Sequence, residues 1–280
     1  MILGAHISVA GGIINAFKGT LDLDASALQI FAKSPMQSKL NEISEEEGSQ
    51  IMTMNGRQKI KAVVIHASYL LNLAKPLSDG GYEIKSIAED LLNAERIGAI
   101  GVVLHMGKSL KEDLSTSKKL FADNVNRVLD KTAKLKTKLI LENTAGQGTE
   151  FGYKIEEFAE IMDLIGRSER LGACIDTAHL MGAGYDLAIE KEATATAVMI
   201  SELIGIKHIS CVHFNDSKKP SGSHVDRHED IGEGTIGEAG LASFAKKLRK
   251  ENHTIPFILE TPQTKLTYRE QMDRIMTWKI

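Results

Sequence analysis

Eight short runs of aliphatic and β-branched residues recur along the chain, and they constrain the fold more than any other feature. They cover residues 2–6, 27–31, 62–66, 101–105, 138–142, 172–176, 208–213 and 256–260. Each run is apolar nearly throughout rather than alternating with polar residues, which is typical of strands buried on both faces. The sequence therefore predicts eight buried strands.

Between these runs, apolar residues recur at helical spacing. The clearest helical patterns lie within residues 84–94, 120–129, 155–162 and 241–248, with a weaker one at 186–205 and a closing helix at 270–278. Alternating strands and helices imply parallel strands joined by right-handed crossovers. Eight such units favour a closed α/β barrel, a single-domain (β/α)₈ TIM barrel over residues 1–280, rather than an open sheet.

Composition agrees with one soluble domain. The chain has 280 residues with 42% hydrophobic content, and its net charge of −3 excludes a globally basic nucleic-acid binder but leaves room for a local basic face. Cys174 and Cys211 lie inside apolar runs, so we interpret them as buried small side chains, and so few cysteines are typical of a reducing compartment. With neither a signal-peptide pattern nor a membrane-length apolar stretch, we expect a soluble, cytoplasmic monomer.

Besides the first run, which ends in His6, six of the eight runs end in a side chain that can bind a metal ion. These side chains are His66, His105, Glu142, Asp176, His213 and Glu260. In a barrel all strand C-termini meet at one rim, where active sites lie. Holding so many carboxylates and imidazoles together costs free energy unless cations compensate their charges. A rim of purely structural polar groups would lack that compensation.

The loops add further candidates. The CIDTAH segment pairs Asp176 with His179, and Asp226 and His228 lie one residue apart, on the same side of an extended chain. By itself, the second pair is also compatible with a polar surface loop beside a half-buried histidine. The candidate set has nine members: His66, His105, Glu142, Asp176, His179, His213, Asp226, His228 and Glu260. A catalytic zinc takes about three protein ligands, so nine with bridging predict two or three ions, an arrangement suited to phosphoester cleavage.

Other motifs carry less weight. The segment Gly232 to Gly237 matches GxGxxG but follows no buried strand, so we interpret it as a turn leading into the next helix rather than a dinucleotide site. The glycines at 146 and 148 predict a tight rim loop. His6 closes the first run and is compatible with either an approach to the metals or core packing.

Eight stretches of the chain, in order, resemble the endonuclease IV family of zinc-dependent apurinic/apyrimidinic (AP) endonucleases. They are GAHIS with AGG (4–12), HASYLLNLA (66–74), LHMGK (104–108), LENTAGQG (141–148), CIDTAHLMGAGYD (174–186), HFNDSK (213–218), VDRHEDIGEGTIG (225–237) and ILETP (258–262). No single stretch is specific, but their combination is.

The resemblance implies a TIM barrel with three Zn²⁺ ions, with Mn²⁺ as a possible substitute at one or more positions. It assigns His66, His105 and Glu142 to the first ion. It assigns the bridging Glu142 with Asp176, His213 and Glu260 to the second, and His179, Asp226 and His228 to the third. All nine positions hold the residue that the family expects.

The implied reaction is hydrolysis of the phosphodiester on the 5′ side of an abasic site by a zinc-activated hydroxide. It leaves a 3′-hydroxyl and a 5′-deoxyribose phosphate, and the same chemistry would trim blocked 3′ ends. Glu142 and Glu260 are the implied catalytic carboxylates. The implied partner is double-stranded DNA that contains abasic sites or blocked 3′ ends.

The family inserts loop side chains into the base stack, and Tyr69 and Leu70 occupy two of those positions. A second loop departs from the family pattern, because Met36 stands where the family has an arginine and Ser38 where it has a tryptophan. Methionine fills space but carries no charge, so the altered loop predicts a more apolar style of insertion. Lys33 and Arg227 are candidates for phosphate contacts.

Two other functions stay open at this point. A metal-dependent sugar isomerase or epimerase on a related barrel would also place His, Asp and Glu at strand ends, usually for one or two ions. The Asp-x-x-His and Asp-Arg-His segments argue against it, and a sugar-isomerisation assay discriminates. A metal-stabilised DNA-binding protein without turnover is disfavoured by the complete ligand set.

Overall fold

A closed barrel of eight parallel strands forms the centre of the molecule. The computed structural model describes residues 1–33, 42–56 and 60–280. The barrel strands are β1 (Ile2–His6), β2 (Ala27–Ile30), β3 (Ala62–His66), β4 (Gly101–His105), β5 (Lys138–Glu142), β6 (Leu171–Asp176), β7 (Ile209–His213) and β10 (Pro256–Leu259). They follow one another around the barrel in chain order, and β10 pairs with β1 to close it. The predicted TIM barrel is therefore confirmed, with each strand run located to within one residue at either end.

Helices surround the barrel. They are α1 (Ile13–Asp22), α2 (Glu45–Gly56), α3 (Tyr82–Arg96), α4 (Leu114–Lys131), α5 (Ile155–Ile165), α6 (Thr177–Ala183), α7 (Glu190–Ile200), α8 (Gly237–Glu251) and α9 (Tyr268–Met276). The helix predicted over 186–205 begins only at Glu190, and it ends in a π-helical turn, Ser201–Gly205. Helices α1, α2 and α6 were not predicted; α6 has only 7 residues, too few for a periodic pattern.

Among the described residues, the buried apolar side chains form two clusters, as expected for a barrel with a packed interior. The larger one fills the layer between strands and helices. The smaller lies on the opposite face of the strands, inside the barrel, and consists of Ala27, Ala62, Val64, Val103, Ile140, Cys174, Cys211 and Ile258. Both cysteines are free and fully buried, which agrees with their interpretation as core side chains.

One glycine shows how closely the strands approach. A Cβ atom at Gly4 of β1 would lie 1.8 Å from the carbonyl oxygen of Ala27 on β2, so no larger residue fits there. The resulting backbone ladder fixes the level at which each strand reaches the rim. Within the described ranges, no helix combines the length and the apolar character that a membrane crossing needs.

Candidate metal centre

The strand register brings the predicted ligands to one level at the C-terminal rim. His105 of β4 pairs with Glu142 of β5, and Asp176 of β6 pairs with His213 of β7. Side chains at paired positions of neighbouring strands lie close together on the same face. The ligand candidates at these four strand ends therefore emerge side by side.

Glu142 lies at the centre of this group. Its Oε2 is 3.3 Å from Nε2 of His66 and 3.0 Å from Nε2 of His105. Its Oε1 is 2.7 Å from Nδ1 of His213, which in turn is 3.0 Å from Oε2 of Glu260. One carboxylate thus contacts imidazoles from three other strands, which is the position that a bridging ligand would occupy.

The loop-borne candidates adjoin this group. Asp176 caps helix α6 by accepting a hydrogen bond from the backbone N–H of His179 at 2.7 Å, and this bond also positions His179. Asp226 lies between two imidazoles, with Oδ2 3.3 Å from Nε2 of His179 and Oδ1 3.3 Å from Nε2 of His228. The two-stranded ladder of β8 (Asp216–Ser217) and β9 (His228–Glu229) holds His228 in place.

Several overlapping groups of donor atoms result, each with all its atoms within 4.8 Å of one another, and three of them together include eight of the nine candidates. They are His66 with His105 and Glu142; Glu142 with Asp176, His213 and Glu260; and Asp176 with His179 and His228. The first two have the same members as the sets that the resemblance implied. The third adds Asp176, while Asp226 contacts both of its histidines. The structure thus brings all nine residues together, and their role as ligands stays a prediction.

Two of the imidazoles are oriented by hydrogen bonds from Nδ1 to backbone carbonyl oxygens. Nδ1 of His66 donates to the carbonyl oxygen of Ala67 at 2.8 Å, and Nδ1 of His179 donates to that of Asn143 at 2.8 Å. Since a carbonyl oxygen can only accept, these bonds place the proton on Nδ1 and leave Nε2 free as a ligand. Metal-binding histidines are typically fixed in this way.

The charges of the cluster suit cations. Burial would raise the pKa of Glu142, but the neighbouring His213 and His105 outweigh it and hold this pKa well below its usual value. Burial would also raise the pKa of the Asp226 carboxyl, but the neighbouring His179 and His228 outweigh this effect and keep that pKa low. These carboxylates therefore stay ionised at neutral pH.

The donor set also passes a test of fit for zinc. Imidazole nitrogens and carboxylate oxygens are ligands that zinc accepts, and every member of the cluster offers one. Nε2 of His228 is buried without a hydrogen-bond partner among the described residues, yet it faces Asp226 and lies 3.5 Å from Oδ2 of Asp176. A buried imidazole nitrogen pointed at two carboxylates is what a metal ligand requires.

A cavity of about 480 Å³ opens above the cluster. Its walls include Tyr69, Arg227, Tyr268 and several of the candidate ligands. Tyr69 packs its ring edge-on against Phe31 at 5.2 Å, yet 56% of the residue is exposed, and the neighbouring Leu70 is 53% exposed. Tyr69 thus presents a large, exposed side chain at the entrance, and the exposed Leu70 follows it in the chain.

Several residues of the site were not identified from the sequence. Gln29 of β2 is fully buried, donates from Nε2 to Oε1 of Glu260 at 2.6 Å, and lies with Oε1 2.8 Å from Nε2 of His213. Asn215 donates from Nδ2 to Oδ2 of Asp176 at 2.7 Å. His6, left open above, lies at the site, with Nδ1 3.5 Å from Oε1 of Glu260. A polar glutamine inside the apolar run ALQIF was the available signal.

The predicted DNA-contacting residues have different outcomes. Lys33 is only 6% exposed, lies 3.0 Å from Asp90 and donates to the carbonyl oxygen of Ser86, so its assignment to phosphate contact is wrong. Arg227 is exposed at the cavity edge, and its contact with a phosphate stays a prediction. Met36 and Ser38 lie outside the described residues.

The GxGxxG segment wraps around a carboxylate rather than forming a nucleotide site. Asp216, fully buried, accepts backbone N–H groups of Gly232, Gly234, Ile236 and Gly237. Helix α8 begins at Gly237, so the interpretation as a turn into a helix is confirmed.

Comparison with known proteins places the chain in a family. Residues 19–278 match the family model described as a xylose isomerase-like TIM barrel. A probable endonuclease 4 from Chloroflexus aggregans is 36% identical over 93% of this chain and 91% of its own. Another from Buchnera aphidicola is 33% identical over 99% and 98%.

Solved structures agree. Endonuclease IV from Thermus thermophilus superposes with a TM-score of 0.84 at 30% identity, covering 99% of this chain and 98% of that one. A D-tagatose 3-epimerase-like protein has a TM-score of 0.71 at 20% identity, over 99% and 97%, which shows the shared fold alone. Since relatives above 30% identity span nearly the whole chain, and the rim cluster lies where the family's motifs place it, the chain belongs to the endonuclease IV family of AP endonucleases.

Proposed function

We propose that this protein is a zinc-dependent DNA repair endonuclease that hydrolyses the phosphodiester on the 5′ side of an abasic site. The products are a 3′-hydroxyl and a 5′-deoxyribose phosphate, and the same site trims blocked 3′ ends. The observation that carries the proposal is the convergence of nine His, Asp and Glu side chains in one cluster beneath a rim cavity, in a chain of this family.

The nine residues divide into three sets. The first ion would be held by His66, His105 and Glu142, the second by Glu142, Asp176, His213 and Glu260, and the third by His179, Asp226 and His228. The donor types also accept manganese at one or more positions. When bound, such ions supply a water of lowered pKa and positive charge for the phosphate.

The chain's own groups orient the reactants. Glu142 and Glu260 both face the cavity, and the pKa of each is held low by neighbouring histidines against the effect of burial. Both carboxylates are therefore ionised and available as acceptors. Because Oε1 of Glu260 is fixed by Gln29, its Oε2 is the oxygen placed to accept a hydrogen bond from an attacking water.

The substrate would be double-stranded DNA, bent so that the abasic nucleotide enters the cavity. Tyr69, which lines the cavity, and the neighbouring exposed Leu70 would insert into the base stack, while Arg227 would contact a phosphate. Inserting rings and aliphatic side chains offset the cost of unstacking by packing against bases.

An incision assay tests the proposal. Zinc-loaded protein should cut a duplex with one abasic site on its 5′ side, leave the matching intact duplex uncut, lose activity with a chelator and regain it with zinc. Failure of fully loaded protein to incise, or cleavage on the 3′ side, would contradict it. No structural observation favours sugar isomerisation, and isomerase activity without incision would establish that alternative.

A further inference from the structure

The two cysteines lie side by side inside the barrel. The β6–β7 register pairs Cys174 with Cys211, and both residues are fully buried and free. Cys174 precedes Asp176 by two positions, and Cys211 precedes His213 by two. Because side chains alternate along a strand, each thiol lies on the same face as the proposed rim ligand above it. The thiols thus form a layer directly beneath the rim cluster.

The surroundings of this layer are aliphatic. The remaining members of the interior cluster are Ala27, Ala62, Val64, Val103, Ile140 and Ile258. An apolar shell around sulfur disfavours hard, strongly hydrated ions and suits soft ones.

A third donor adjoins the thiols. Both Sγ atoms and a ring nitrogen of His213 lie within 4.8 Å of one another. Two sulfurs that bind one ion at about 2.3 Å in tetrahedral geometry lie roughly 3.8 Å apart. Closing the group around an ion thus needs shifts of about 1 Å or less.

We propose that Cys174, Cys211 and His213 form a site for a soft, thiophilic metal ion, distinct in ligand chemistry from the carboxylate-rich rim cluster. Thiolate and imidazole donors select such ions. Binding of a divalent ion releases one proton from each thiol and forms two metal–sulfur bonds.

Occupancy has a consequence for the rim. Nδ1 of His213 is 2.7 Å from Glu142 and 3.0 Å from Glu260, and turning this imidazole toward the thiols removes it from both. Soft ions would therefore inhibit the enzyme, a consequence that rests on the proposed function. One layer of side chains, that of Asp176 and His213, separates the thiols from the rim, so the ion reaches them from above.

Cadmium is the probe. Zinc-free protein, kept reduced by a phosphine, is titrated with Cd²⁺ and followed by thiolate-to-cadmium charge-transfer absorption in the ultraviolet. Saturating Cd²⁺ should produce the band, and Cys174→Ala and Cys211→Ala should each abolish or strongly reduce it. Val103→Ala, which removes bulk from the same interior cluster but no sulfur, should retain it. A full-strength band in either cysteine variant would overturn the proposal.

A second measurement needs no variant. In ¹¹³Cd NMR of the wild-type protein, sulfur ligands shift a cadmium resonance downfield of those with only nitrogen and oxygen ligands. One such downfield signal is expected, and its absence from saturated protein would overturn the site. Failure of zinc-loaded protein to incise DNA would leave both cadmium signals unchanged, so the two proposals fail separately.

Discussion

The strand ends and the loops contribute to the rim cluster in different ways. Glu142, Asp176 and His213 stand at strand ends and are fully buried. By contrast, the side chain of Asp226 is 40% exposed and that of His228 is 17% exposed. The first group is fixed by the barrel ladder, whereas His228 lies in a two-stranded ladder of four residues and Asp226 lies in the loop just before it. We infer that the strand-borne sites are preorganised, while the third site depends on how a loop is held.

Buried carboxylates hold those loops. Asp216 accepts N–H groups from the segment before α8, and Asp230 accepts those of Gln263, Lys265 and Leu266 after β10. Such bonds satisfy backbone donors that a rim loop would otherwise leave unpaired. These bonds therefore order the loops that carry Asp226 and His228.

The largest expected effect is at the strand-borne centre. Glu142→Gln keeps the side chain's size but removes the charge that two ions would share, so single-turnover incision should fall by roughly 10³-fold or more. Elemental analysis should show loss at both sites that use Glu142. Thermal unfolding should stay cooperative, since the barrel core does not depend on rim ligands. Near-normal incision by this variant would refute the bridging role.

A smaller loss is expected from the loop-borne set. His228→Ala should release about one ion per chain, leave the strand-borne ions in place and slow incision by about 10²-fold. His224→Ala is the matched control, because this loop imidazole bonds to the carbonyl oxygen of Ala145 and belongs to none of the three sets. If His228→Ala empties all sites together, the strand-borne and loop-borne parts are not independent.

The third prediction tests whether Gln29, which hydrogen-bonds to two of the ligand candidates, holds them in position for metal binding. Gln29→Met removes the bonds to His213 and Glu260 at nearly constant volume, and zinc affinity should fall by roughly 10–100-fold. Competition with a chromophoric chelator measures it. Leu28→Met, on the same strand but buried in the outer core, should leave zinc affinity unchanged. Equal affinities in the two variants would assign Gln29 a packing role only.

The smallest effect concerns DNA rather than metal. Tyr69→Ala should weaken binding to abasic duplex by at least about 1 kcal/mol, the lower range for base–aromatic stacking, while incision of bound substrate stays similar. Fluorescence anisotropy across a salt series measures it, with exposed Leu164 of α5 changed to alanine as the control. Met36→Arg should steepen the salt dependence by up to about one counterion. Unchanged affinity in Tyr69→Ala would remove this loop from the proposed wedge.

Much of the fold and the candidate cluster could be predicted because both follow from local patterns. Runs such as AVVIH and KLILE identify a buried strand and the side chain that ends it. Closure of eight parallel strands then places all these ends on one rim, so His66 and Glu260 become neighbours without any sequence signal that links them. Even the loop pair Asp226 and His228 was visible as adjacent donors.

What the sequence alone determined was therefore the barrel and the identity of the ligand candidates, because strand periodicity and a donor at the strand end are local properties. Only the tertiary structure decided which groups hydrogen-bond to these candidates. Gln29, for example, donates to Glu260, which lies 231 positions away in the sequence. The tertiary structure also buries Lys33, because its ammonium group pairs with Asp90 on helix α3, far along the chain. Such partners lie far apart in the sequence and meet only when the barrel closes, so no local sequence pattern predicts them.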